Sequence, residues 1–267
     1  MDIRAVCALG AVLAAGCVSR EEGIAAAAFA DSGGTFLGAL ASYVPTSQMF
    51  GGAYERSDLR VRLFEQAPRS AERTPVGAEI REEVTRLYFM RTAGYVLYQS
   101  APLGPFSSPD MEQGTWTERA LADGTDRVVS APGNRPAGFD LVDMVPSWTG
   151  AYRAVVFQSI RSGTCRLEVQ ARATGHTVFT RAEICTTGLW QPDDSLLFFN
   201  GGEDGGSFKV KPPAWMPEPV DPQAPSPCTL GTSSGISDPQ GRTLVFSPRE
   251  TEVTVMTEGK VFSCLDP

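Results

Sequence analysis

Trp190-Gln191-Pro192-Asp193-Asp194-Ser195-Leu196-Leu197-Phe198-Phe199 is the stretch on which the fold class turns. An aromatic residue closes one run, Pro192-Asp193 reads as a turn, and the apolar run that follows is too short for a helix. The pattern is strand, tight turn, strand. The same order recurs from Ser237, as Asp238-Pro239-Gln240-Gly241-Arg242-Thr243-Leu244-Val245-Phe246. A third copy opens at Trp148 and passes through Thr149-Gly150-Ala151-Tyr152 to Phe157. Weaker echoes start at Phe29 and Phe89. Starts at 29, 89, 148, 190 and 237 lie 60, 59, 42 and 47 residues apart. The last two intervals match a four-stranded repeat of roughly 40–50 residues, and the first two require inserted loops.

Other short apolar or alternating runs, bounded by Gly, Pro, Asp and Ser, fill the chain: Leu59–Phe64, Tyr95–Tyr98, Ala154–Phe157, Arg166–Val169, Thr177–Phe179 and Glu252–Met256. No long amphipathic helix interrupts them. The Trp190 copy resembles the repeat of TolB-like β-propellers, in which an aromatic precedes Ser-Pro-Asp-Gly and a hydrophobic strand. Here Asp194 stands in place of the Gly and Gln240 in place of the Asp. The resemblance implies an all-β fold: a β-propeller of about five four-stranded blades, some irregular, over residues 24–267. The aromatic would end the inner strand of each blade. A β-sandwich or another β-repeat array is the alternative architecture.

Composition narrows the function. Lys and Arg total 23 against 31 Asp and Glu, a net charge of −8, which disfavours a nucleic-acid partner. Gly 27 and Pro 20 in 267 residues agree with a turn-rich chain. A single histidine, His176, removes most metal and acid/base schemes.

The amino terminus reads as a targeting segment. The apolar run Ala5–Ala15 would rise about 16 Å as a helix, roughly half a hydrocarbon core, and so is too short to span a bilayer. Leu13-Ala14-Ala15-Gly16-Cys17 resembles the lipobox of bacterial lipoproteins. That resemblance implies a signal peptide over 1–16, acylation of Cys17, a tether over 17–23 and residence in the cell envelope. In Gram-negative lipoproteins an Asp after the cysteine favours the inner membrane, so by the same resemblance Val18 implies the outer membrane. A plain secretory signal with an incidental Cys17 is the alternative.

Cys7 leaves with the signal, so Cys165, Cys185, Cys228 and Cys264 remain. An even number in an oxidising compartment predicts two disulfides, with three connectivities open. The local pairing, Cys165–Cys185 with Cys228–Cys264, is preferred. A zinc site is disfavoured because no C-x₂-C spacing occurs. Residues 211–227 carry seven prolines and cannot form an interior strand. They are expected to be an extended insertion whose Trp215 and Met216 either fold back onto the sheet or dock a partner.

No catalytic residue, metal ligand or cofactor motif stands out: there is no G-x-S-x-G elbow, phosphate loop or dinucleotide fingerprint. The acids Asp193, Asp194, Glu203 and Asp204 read as turn caps or solvated groups. The expected function is a membrane-anchored module that binds or scaffolds an envelope protein or ligand. The alternative is a hydrolase or lyase that uses channel carboxylates such as Asp193 or Glu203.

Overall fold

The computed structural model describes residues 20–48, 54–104, 107–131, 133, 135–200, 206–220, 242–247 and 249–257. The signal segment, Cys7, Cys17, Cys228, Cys264, Glu203, Asp204 and the opening of the Ser237 copy lie outside the described residues. Sheet 1 contains β1 (Glu21–Phe29), β2 (Phe36–Gln48), β3 (Tyr54–Gln66) and β4 (Thr74–Pro75). Sheet 2 contains β5 (Glu83–Met90), β6 (Tyr95–Ala101), β7 (Thr115–Ala120) and β8 (Asp126–Ser130). Sheet 3 contains β9 (Phe139–Pro146), β10 (Tyr152–Ser159), β11 (Cys165–Ala171) and β12 (Thr177–Ala182). Sheet 4 contains β13 (Leu189–Trp190), β14 (Leu196–Asn200), β15 (Gly206–Val210) and β16 (Glu218–Val220), and β17 (Arg242–Val245) pairs with β18 (Thr254–Thr257) as sheet 5. Within each sheet, the described strands pair antiparallel with their neighbours in the chain. Among the described residues, helix is confined to short 3-10 turns such as Met111–Gln113. The fold is all-β.

Side-chain alternation shows how the sheets stack. Along β6, Tyr95 and Leu97 enter a core shared with sheets 3 and 4, whereas Val96 and Tyr98 enter a core shared with sheet 1. Successive side chains of a strand point to opposite faces, so sheet 2 is covered on both. That is why β6 is buried at every position and reads as an apolar run rather than an alternation. Sheet 1 is covered on both faces as well. Ala26, Ala28 and Leu37 face sheet 2, and Ile24, Phe29 and Phe36 pack with Leu244 of sheet 5. The Ile24 amide also donates to the Ser247 and Glu250 carbonyls at 3.1 and 2.9 Å. Outer strands are exposed, as in β12 and β16.

The first strands of sheets 1 and 2 lie side by side, with a parallel bridge between Ala30 and Phe89. The turns that end these first strands also touch from sheet to sheet. The Thr92 amide donates to Asp31, the Tyr95 hydroxyl lies 3.5 Å from the Gly150 carbonyl, and the Thr149 amide donates to Asp194 at 2.9 Å. The repeat phase departs slightly from the sequence pattern. Phe29 and Trp190 are the last paired residues of their strands, but Met90 and Pro146 hold that place in sheets 2 and 3. Trp148 thus falls in the turn rather than at the strand end. Sheet 1 begins at Glu21, before the boundary expected at Ile24, and the preceding Arg20 donates to the Ser42 hydroxyl and to Asp58 at 2.8 and 2.5 Å.

Candidate functional site

The acids singled out in the sequence build turns. Asp193 accepts from the Ser195 amide at 3.1 Å and from the Ser195 hydroxyl at 2.5 Å. Partial burial works to raise its pKa, but the Ser195 bonds and nearby Lys209 hold it below the ordinary carboxylate value. Asp194 adopts a positive φ of 57°, the conformation for which Gly is otherwise used, and accepts from both the amide and the hydroxyl of Thr149. The substitution of Asp for Gly therefore joins two turns. His176 is exposed, with its amide on the Thr174 hydroxyl at 3.3 Å. Trp215 folds back edge-on against Tyr152 at 4.9 Å between ring centroids, while Met216 stays exposed. Pro219 lies in the edge strand β16, where a missing N–H is tolerated.

The disulfide Cys165–Cys185 is formed, with Cα atoms 5.0 Å apart. It ties β11 to the connection that leaves β12, and closing that 20-residue loop contributes about 3 kcal/mol through the unfolded chain. A cavity of about 520 Å³ lies between the β3–β4 turn and sheet 5, lined by Pro68, Arg69, Arg242, Val253, Thr254 and Val255.

The densest charge constellation was not visible in the sequence. On the face of sheet 2 toward sheet 3, Glu118 of β7 is buried and takes three arginines. Arg127 reaches it from β8 at 2.6 Å, Arg153 from β10 at 3.4 Å and Arg172 from the β11–β12 turn at 3.1 Å. Arg172 also lies over the Tyr95 ring, 3.8 Å from its centroid. Arg153 donates to Gln170 at 3.1 Å, and Gln170 donates in turn to Glu168, which is already paired with Arg166 at 2.9 Å. Burial lowers the Arg153 pKa, and repulsion from Arg127 and Arg172 adds to this against the pull of Glu118. Deeper on the same face, Tyr88 and Trp116 stack at 6.4 Å, with the Tyr88 hydroxyl and Trp116 Nε1 buried and without a hydrogen bond among the described residues. Beside them Arg86 pairs with Asp143 at 2.6 Å, and burial raises the Asp143 pKa despite that pairing.

The opposite face of β7 holds a different arrangement. Arg119, 1% exposed, forms two 2.7 Å bonds to Asp126, donates to the Val76 and Ala78 carbonyls at 3.0 and 2.8 Å, and lies over Tyr98 at 5.4 Å. Gly77, at a φ of +71°, leaves the room: a Cβ there would meet Arg119 Cδ at 2.7 Å. Glu118, Arg127, Arg153 and Arg172 are too scattered along the chain to make a motif, and only the stacking of sheets joins them.

No protein-family model matches the chain, and no curated protein matches it. Solved structures do resemble it. An acylaminoacyl peptidase from Pyrococcus horikoshii is 8% identical, with a TM-score of 0.50 over 90% of this chain and 38% of that one. Prolyl oligopeptidase B from Galerina marginata is 14% identical, with a TM-score of 0.49 over 75% of this chain and 29% of its own. TolB from Acinetobacter baumannii is 11% identical, with a TM-score of 0.41 over 90% and 52%. The shared property is fold alone. Only the first of these three similarities reaches the level at which a common fold is stated, and this chain spans about 38% of that peptidase's length. Among the described residues no helix is long and apolar enough to cross a membrane, which says nothing of β-strands.

Proposed function

We propose that this chain is a lipid-anchored, non-catalytic binding module of the bacterial cell envelope, built as a β-propeller of five sheets. One observation carries the architecture: sheet 1 packs on sheet 2 through one face and on sheet 5, from the far end of the chain, through the other. Sheets 2, 3 and 4 follow in order through one continuous core. One junction would then close the ring, between sheets 4 and 5, whose outward faces carry the exposed Phe199, Val245 and Met256. Cys17 would be acylated after removal of 1–16, the outer membrane would hold the anchor, and Cys228–Cys264 would form the second disulfide. The binding reading is supported by what the candidate acids do: Asp193 and Asp194 are engaged by turn backbone and hydroxyls. An envelope protein is the expected partner.

A photocrosslinking residue at position 199 tests the ring. Intramolecular crosslinks to 242–257 are expected, and crosslinks to other chains alone would refute closure. Metabolic labelling with an alkyne fatty acid tests the anchor. Label and membrane fractionation should vanish in Cys17→Ala, and equal labelling would refute acylation. Crosslinkers in the exposed turn at 174–176 and at Ile160 test binding in intact envelopes. A discrete adduct from one site is expected, whereas turnover of ester or peptide substrates would favour the hydrolase.

A further inference from the structure

We propose that the arginine cluster between sheets 2 and 3 binds a phosphate-type oxyanion on Arg127, Arg153 and Arg172. The argument begins with charge. Three guanidiniums converge on the single carboxylate of Glu118, leaving two positive charges in excess inside a chain whose overall charge is −8. Glu168 is separated from Arg153 by Gln170 and is engaged by Arg166 and the Thr177 hydroxyl. Clustered like charges at a partly buried site repel one another, and a bound dianion would offset that repulsion.

Geometry supplies the rest. The arginines arrive from three different structural elements, so their positions are set by the sheets rather than by one flexible loop. Arg172 is held over the Tyr95 ring while its Nε is bonded to Glu118, so the group is fixed in place before any ligand arrives. The cluster opens to solvent through Arg127 and Arg172, whose side chains are 56% and 31% exposed, and is floored by Arg153 at 10% and Glu118 at 5%. A forked cation matches an oxyanion through paired N–H bonds, and Arg is favoured over Lys at such sites. The ligand is a free phosphate or the phosphate monoester of a small molecule. The site needs neither a lipid anchor nor a closed ring, so its failure would leave the proposed function standing.

The test is thermal unfolding of the disulfide-intact chain in about 10 mM inorganic phosphate, against chloride at matched ionic strength, with glycerol 3-phosphate as the monoester probe. A millimolar site should raise Tm by about 3–5 °C in phosphate. Arg127→Gln and Arg172→Gln, both at partly exposed positions, should each lose most of that rise while still unfolding cooperatively. Glu118→Gln, which removes the internal competitor, should gain a larger rise than the parent. If Glu118→Gln does not fold, the two arginine variants decide. A stronger response to the monoester assigns the ligand to that class, and an equal one to free phosphate. No rise in the parent chain, or equal rises in the parent and both arginine variants, would overturn the site.

Discussion

Glu118 and Arg119 are neighbours in β7, yet their side chains lie on opposite faces of sheet 2 and in opposite electrostatic conditions. Arg119 has one carboxylate, two carbonyls and an aromatic face, and a glycine cleared for it. Its charge is matched and its donors are met. Burial alone would lower its pKa, but Asp126 and Tyr98 turn the shift upward. Glu118 has three cations for one negative charge. The same physics, a buried ion that must be paired, makes a sealed joint on one side and a charge surplus that reaches solvent on the other. A sealed joint holds two sheets together; an unbalanced one can also hold a ligand.

Breaking the unbalanced face should do the most damage. Glu118→Ala strands Arg153 without its carboxylate and should destabilise the chain by about 3–5 kcal/mol, read by chemical unfolding. A loss below about 1 kcal/mol would mean that water already screens the cluster. On the sealed face, Asp126→Ala should lose less, about 2 kcal/mol. Asp126 is 39% exposed and the Val76 and Ala78 carbonyls remain for Arg119. Gly77→Ala sharpens the contrast, since a side chain at positive φ is strained and the new Cβ would press on Arg119. About 1–2 kcal/mol is expected, with near-native stability arguing that the joint is loose.

The smallest effect is alkaline. Tyr98, facing Arg119, has its pKa pushed up to about 12 by burial, and burial pushes Tyr95, facing Glu118, higher still. The unfolded tyrosines give up protons first, near their ordinary value of 10, so stability should fall as pH rises from there toward 12. Tyr98→Phe should flatten part of that decline, and an unchanged slope would remove Tyr98 from it.

Much of the fold could be read from short apolar runs. Tyr95–Tyr98 and Ala154–Phe157 lie in second strands, where coverage on both faces removes alternation; Leu196–Phe199 is also a second strand, but its outward face is open and Phe199 is exposed. Sheet 1 was harder to read because β1 carries Ala25-Ala26-Ala27-Ala28, residues of low strand preference that serve close packing beside β5. β7 was missed because Glu118-Arg119 looks like exposed surface, and its burial depends on partners up to 54 residues away in sequence. The Cys165–Cys185 pair was legible from cysteine count and spacing. The arginine cluster was not, since no local pattern encodes a meeting of three elements.

Side chains that alternate between two cores along β6 carry a consequence for how such a chain can change over time. Deleting one residue inside this strand would exchange the occupants of both cores at once, so tolerated insertions and deletions are confined to the connections.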